Sequence, residues 1–225
     1  KILCKNYCKY GGKFVSVYST ITDFFRNHEL LGYYFEQVKW KRYGLKKDIP
    51  DDVFAKNIYK SFTGKDLDLK DPKTFDERMW YLKLNNRDPL LTKCTDKYLV
   101  REYVEECGLG HILNELYGVY SNAEEIDFEK LPDERVFLKC NHTSGYNVIY
   151  DKKNPFNKQK FIKKFNFILK QNHFWLSREW NYKNIHPRIV CERMLPEVPN
   201  KDDGKYEGLI DYKFICFEGE VKGLF

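Results

Sequence analysis

The residues best suited to chemistry lie in one run, Lys139-Cys140-Asn141-His142-Thr143-Ser144-Gly145-Tyr146-Asn147. A strand ending in a lysine, followed by small and hydroxylated residues and then a second strand, can present main-chain N–H groups to phosphate oxygens. The lysine adds a point charge to the same oxygens. An ordinary hairpin turn, in which Ser-Gly pairs are common, is the other reading of these residues. Glu192 follows the apolar strand Ile189-Val190-Cys191. A carboxylate there can accept hydrogen bonds from a ligand's amino group or hydroxyls, or serve only as a solvated strand end. Asp211-Tyr212-Lys213 alternates charged, aromatic and charged. With Tyr212 facing the core, Asp211 and Lys213 share the opposite face, where an ion pair is the plain expectation.

Other chemistries lack their motifs. No Gly-x4-Gly-Lys-Ser/Thr run exists, and Gly108-Leu109-Gly110-His111 has no third glycine and follows a helix, so it reads as a helix C-cap. Ser144 is not framed as Gly-x-Ser-x-Gly, which removes the nucleophile elbow of a Ser-His-acid hydrolase. Seven cysteines stand at 4, 8, 94, 107, 140, 191 and 216. Cys4 and Cys8 have no second Cys/His pair near in sequence, so no metal ligands are assigned. The thiols read as reduced, cytosolic and mostly core-filling. Lys41-Arg42, Lys46-Lys47 and the run from Lys158 to Lys170 read as solvated helix faces, and no nucleic-acid partner is expected.

The elements that must carry these residues follow from periodicity. Phe24, Phe25, Leu30, Leu31, Tyr34, Phe35 and Val38 recur at helical intervals, and a second helix runs from Asp51 to near Gly64. Thr74-Phe75-Asp76-Glu77 fits a capping box, with Asp88-Pro89 as the stop. Thr95 or Asp96 caps the next helix, whose stripe is Leu99, Val100, Tyr103, Val104 and Cys107, and Gly108 ends it. Strands then follow at Glu115–Tyr120, Arg135–Lys139 and Tyr146–Tyr150. A basic helix starts at Asn154-Pro155 with Phe161, Phe165, Ile168 and Leu169 on one face. Two late strands, Arg188–Met194 and Leu209–Phe217, flank a polar loop from Asn200 to Gly208. The architecture is α+β, helices first.

Composition supports a folded, soluble chain. The 225 residues are 42% hydrophobic and 17% aromatic, with 39 Lys and Arg against 33 Asp and Glu, a net charge of +6. Mean hydropathy is −0.66. A membrane span needs about 20 consecutive apolar residues, and no such run is present. The first residues lack the pattern of a secretory signal. The surplus of positive charge suits an acidic partner. The chain opens on Lys1 and stops at Phe225 inside an alternating apolar stretch, which is expected of a fragment.

Several blocks, in order, carry a resemblance. They are Tyr59–Lys65, Asp71–Glu77, Thr95–Val104, Val136–Gly145, Arg178–Tyr182, Arg188–Glu192 and Asp211–Phe214. In this order the chain resembles the TupA-like (teichuronopeptide biosynthesis) branch of the ATP-grasp ligases, from Tyr59 onward. The resemblance implies an ATP-grasp fold: a helical region over residues 1–58, then two α+β subdomains over residues 59–225 clasping a nucleotide, incomplete at the C-terminus. Lys97 and Lys139 would reach the phosphates of ATP, and the loop with His142, Thr143, Ser144 and Gly145 would be their mobile cover. Glu192 would hold the adenine, Asp211 the ribose and Lys213 the phosphate side. The Mg²⁺ ligands of the family come from later strands, and no residue here is given that role. The implied activity is a cytoplasmic carboxylate–amine ligase of cell-surface polysaccharide biosynthesis, acting through an acyl phosphate on an acidic sugar or amino acid. A glycosyltransferase, or a silent nucleotide- or RNA-binding module, is the alternative; the first wants an Asp-x-Asp metal motif, which adjacent pairs such as Asp51-Asp52 do not supply.

Overall fold

The computed structural model describes residues 31–196 and 212–224. Cys4, Cys8, Phe24, Phe25, Leu30, Asp211 and the loop from Asn200 to Gly208 therefore lie outside the described residues.

Five helices lead the described residues. Helix α1 (Leu31–Gly44) buries Glu36 and Trp40 and leaves Tyr34 and Val38 about 60% exposed. The expected stripe through Tyr34 and Val38 is thus corrected. The buried side is set by Trp40, whose ring joins the main core while its indole N–H meets the Tyr146 hydroxyl at 3.0 Å. Helix α2 (Asp51–Thr63) follows Pro50, buries Phe54, Ala55 and Tyr59, and closes on Gly64 at φ 73°. Helix α3 (Phe75–Asn85) opens on the expected capping box: Glu77 N–H donates to Thr74 Oγ1 and Thr74 N–H to the Glu77 carboxylate. Ala55, Tyr59 and Leu67 pack against Trp80 and Leu84 in a small satellite core.

Asp88-Pro89 stops α3 and also begins α4 (Pro89–Thr95), with Asp88 accepting from Leu90 N–H and Pro89 in the first turn. The sequence pattern assigns no helix between the stop at Asp88-Pro89 and the cap at Thr95 or Asp96, so this helix is an addition. Asp96 then accepts from the N–H groups of Tyr98 and Leu99, at 2.8 and 3.3 Å, and leads into α5 (Val100–Glu106).

The sheet follows. Strands β1 (Leu116–Tyr120), β2 (Val136–Cys140), β3 (Asn147–Tyr150) and β4 (Ile189–Arg193) lie in the order β1-β4-β2-β3, every pair antiparallel. The basic helix α6 (Lys158–Leu169) starts three residues later than its predicted Pro155, because Asn157, not Asn154, accepts from Lys160 N–H. Phe161, Phe165 and Ile168 of α6 and Val136, Leu138, Cys140, Ile189 and Cys191 of the sheet form one core. The short α7 (Phe174–Ser177) ends on Arg178 at φ 56°. Fully buried Arg178 donates from Nη2 to the carbonyls of Lys46 and Ile49, and Asp51 stands 2.8 Å from its Nε. The link between α1 and α2 is thereby bound to α7.

Strands β5 (Phe214–Phe217) and β6 (Glu220–Leu224) form a separate hairpin, with Glu218 and Gly219 at φ 50° and 81° in the two-residue turn. Tyr212 is 64% exposed, so the condition under which Asp211 and Lys213 would share the outer face is not met. Three of the five described cysteines, Cys94, Cys107 and Cys216, are exposed, so only Cys140 and Cys191 fill the core as expected.

Candidate functional site

Register decides which side chains share a face. Phe137 and Lys139 of β2 stand opposite Glu192 and Val190 of β4, while Val136, Leu138 and Cys140 point the other way, into the core against α6. The face turned away from α6 therefore carries a lysine and a carboxylate side by side. Lys139 Nζ lies 2.6 Å from Glu192 Oε2. Glu192 is buried, and its second oxygen faces Arg101 of α5 at 3.7 Å. Arg101 is itself held by a 2.6 Å hydrogen bond from Nη2 to the Asn114 carbonyl. The Glu192 carboxylate thus stands between two cations, Lys139 and Arg101.

The loop after β2 is packed rather than free along much of its length. Asn141, His142 and Thr143 are buried, and only Ser144 and Gly145 at its tip are exposed. Asn141 uses its whole amide: Nδ2 donates to Asp96 Oδ1 and to the His186 carbonyl, each at 2.9 Å, and Oδ1 accepts from Arg188 N–H at 2.7 Å. His142 lies between the loop and α6, with Nε2 3.3 Å from the Ile168 carbonyl. Burial pulls its pKa from 6.5 down to about 4, so the ring is neutral at pH 7. Beyond the tip, the Tyr146 hydroxyl donates to Glu36 and accepts from Lys39 and Trp40 of α1.

Lys97 sits beneath this loop. Its Nζ donates to the carbonyl of Asn141 at 3.2 Å and to that of Thr143. Burial first, and the charge of Lys139 second, lower the Lys97 pKa. Among the described residues, the main-chain N–H groups of His142, Ser144 and Gly145 donate no hydrogen bond to the chain. Gly145 takes φ 86°, a conformation that turns the chain tightly at the tip. Two buried side-chain oxygens, Asp96 Oδ2 and Thr143 Oγ1, also lack a partner among the described residues. Unbonded N–H groups at a loop between lysines are what an anion with several oxygens can use.

The structure brings Lys97, Lys139, the loop and Glu192 into one region. Lys213 is exposed on the segment that enters the hairpin. Arg101 was not singled out from sequence, although its i,i+4 spacing from Lys97 is the signal that could have found it. The sequence offers Asp96 as a helix cap and Asn141 as a loop residue, but not the bond between them, which joins positions 45 apart. Burial raises the Cys140 and Cys191 pKa values to about 12, which leaves both as inert thiols. A cleft lined by Gly145, Asn147, Phe156, Lys160 and Lys164 opens between β3 and α6. It adjoins the helix-covered side of the sheet and is distinct from the Lys139–Glu192 pair. No group of three His, Cys, Asp or Glu side chains that could hold a metal occurs among the described residues.

A family model described as "TupA-like ATPgrasp" matches residues 77–225, about two thirds of the chain. The match begins inside the capping box at Glu77, after the Tyr59–Lys65 block. No curated protein and no solved structure matches the chain.

Proposed function

The chain belongs to the TupA-like ATP-grasp family, and from that membership we propose that it is an ATP-dependent carboxylate–amine ligase. The observation that carries the reading is the set of N–H groups of His142, Ser144 and Gly145 left unused by the chain, with Lys139 at the head of the loop and Lys97 under it. These groups fit a polyphosphate. In the reaction a substrate carboxylate takes the terminal phosphoryl group of ATP and releases ADP. An amine then attacks the acyl carbon, loses a proton and expels phosphate, leaving an amide. The protein's part is positioning and charge neutralisation.

Lys139 exchanges Glu192 for phosphate oxygens, and Lys97 adds its charge from beneath. The loop N–H groups donate to the phosphates, and closure of the tip excludes water from the acyl phosphate. Glu192, still faced by Arg101, accepts from the amino group of adenine. Asp211 serves the ribose and Lys213 the phosphate side. Residues 59–225 hold the nucleotide chemistry, and α1 of the helical N-terminal region bonds to Tyr146 beside it. The family uses Mg²⁺ with ATP; because the described residues offer no ligand group for it, no step is assigned through the metal.

The setting in this reading is bacterial surface-polysaccharide biosynthesis, of teichuronopeptide or capsule type, with an acidic sugar or amino acid as substrate. The net charge of +6 agrees with such an acceptor. The surface thiols suit the reducing cytoplasm, and no helix among the described residues is long and apolar enough to cross a membrane.

Thermal unfolding with Mg-ATP tests the reading. Nucleotide at about 100 times its dissociation constant adds about 2.7 kcal/mol. Lys139→Ala is expected to fold and to lose that gain. An unchanged melting temperature of the parent chain in Mg-ATP overturns the proposal, and a UDP-sugar shift in its place identifies a glycosyltransferase.

A further inference from the structure

The Lys97 side chain touches the loop, and what it touches is carbonyl oxygen. A trans peptide unit points its C=O and N–H in opposite directions, and no cis peptide occurs among the described residues. The Asn141 carbonyl turned toward Lys97 therefore sends the His142 N–H away from it. The Thr143 carbonyl does the same for Ser144 N–H, at the point where the loop emerges from the core. The unbonded N–H groups and the two carbonyls are the two sides of one arrangement.

We propose that Lys97 is a positioning residue that holds the inner carbonyls of the 141–145 loop, so that its N–H groups face outward as an anion cradle. The inference rests on the reading of that loop as the phosphate site and gives Lys97 a specific part in it. An ammonium is well suited to this place: three donors can serve two carbonyls at once, and its charge favours the lone pairs of both. The rest of the loop is fixed by independent means. Asn141 is locked by Asp96, His186 and Arg188, and Tyr146 by α1. Between these anchors, Lys97 donates to two of the loop carbonyls, Asn141 and Thr143. With the ammonium gone, the Asn141 and Thr143 carbonyls lose their partner, and the intervening peptides are free to turn. An N–H directed at an anion then becomes a carbonyl directed at it.

This separates Lys97 from Lys139. Lys139 acts on a ligand as a charge alone, whereas Lys97 acts on the shape of the loop before any ligand arrives. The test is made on the 225-residue chain carrying Lys97→Met, which keeps length and removes charge, and on Lys97→Arg, which keeps two or more donors. Backbone NMR of the ligand-free proteins reads the Asn141 and Thr143 carbonyl carbons and the Ser144 and Gly145 amides. Signals of β2 and β4 report that the fold is retained. Mg-ATP affinity is measured in parallel.

Lys97→Met is expected to move the loop signals without ligand and to weaken Mg-ATP by about tenfold or more, the size of a charge-assisted hydrogen bond lost. Lys97→Arg is expected to restore much of both. Unmoved loop signals in ligand-free Lys97→Met, together with weakened ATP, would make Lys97 a direct phosphate ligand and overturn the inference. Unmoved signals with unchanged affinity overturn it as well. If the parent chain binds no ATP while Lys97→Met still moves the loop, the ligase reading falls and the positioning role of Lys97 stands. If Lys97→Met does not fold, Lys97→Arg decides alone: loop signals close to the parent's support the role, and signals moved as far as Ser144 overturn it.

Discussion

His142 shows how differently a residue can work once its burial is known. The ring is 2% exposed, and its pKa of about 4 lies below the ordinary 6.5 because burial penalises the charged form. A lowered histidine value favours protonation of the unfolded chain. The contribution is therefore intact above pH 6.5, begins to fall below it, and is fully lost once pH drops through about 4. The full difference corresponds to about 3 kcal/mol. His173, also lowered mainly by burial, acts in the same direction. Urea unfolding between pH 7 and 5 should show a steeper loss of stability in the parent than in His142→Gln. Parallel pH profiles would mean that the ring titrates freely in water. From the resemblance, His142 is one member of a mobile phosphate cover. Its partner on α6 is a main-chain carbonyl 26 positions away, which no local pattern announces. The Lys139–Glu192 pair was half legible: both residues were picked, but strand register makes them neighbours.

At the scale of elements, α1 and the loop after β2 are joined through one hydroxyl. Tyr146 gives its hydrogen to Glu36 and takes hydrogen bonds from Lys39 and Trp40. Tyr146→Phe leaves the buried Glu36 carboxylate and the indole N–H without that partner, at a cost of about 1–3 kcal/mol. Urea unfolding gives the magnitude, and amide exchange should quicken in α1 while β2 and β4 stay protected. Equal exchange in α1 before and after the substitution would show that packing of Trp40 alone holds the helix. The same contact explains what could be read in advance. Caps and turns depend on residues within four positions, so Thr74 with Glu77, and Gly64, were visible in the sequence. The buried face of α1 answers to a tyrosine 110 positions from Glu36, and a period count over α1 alone favoured the wrong side.

At the scale of the molecule, the two sheets of the described residues differ in cover. One face of the four-stranded sheet is sealed by α6, whereas in the hairpin Phe214, Ile215, Phe217, Val221 and Leu224 are all at least half exposed. A two-stranded hairpin is marginal by itself, and apolar side chains in such a row favour association. The isolated 225-residue chain should therefore self-associate with rising concentration. Changing the cross-strand pair Phe214 and Leu224 to Lys and Glu should reduce this, as read by light scattering. A parent chain that stays monodisperse and binds no hydrophobic dye would show that these strands are covered in solution. Alternation of apolar residues made the strands legible, but a period of two says nothing of which surface, if any, lies over them.

Asn141 has no spare bonding capacity, and this bears on how the molecule ages. Side-chain amides of asparagine hydrolyse slowly in stored or long-lived protein, giving aspartate. Here that change would replace two donated hydrogen bonds with an acceptor facing Asp96 Oδ1 and the His186 carbonyl. Negative charge would meet lone pairs in a site closed to water. The packed surroundings that fix the amide also slow its hydrolysis, so the chemical lifetime of the loop depends on how tightly it stays shut.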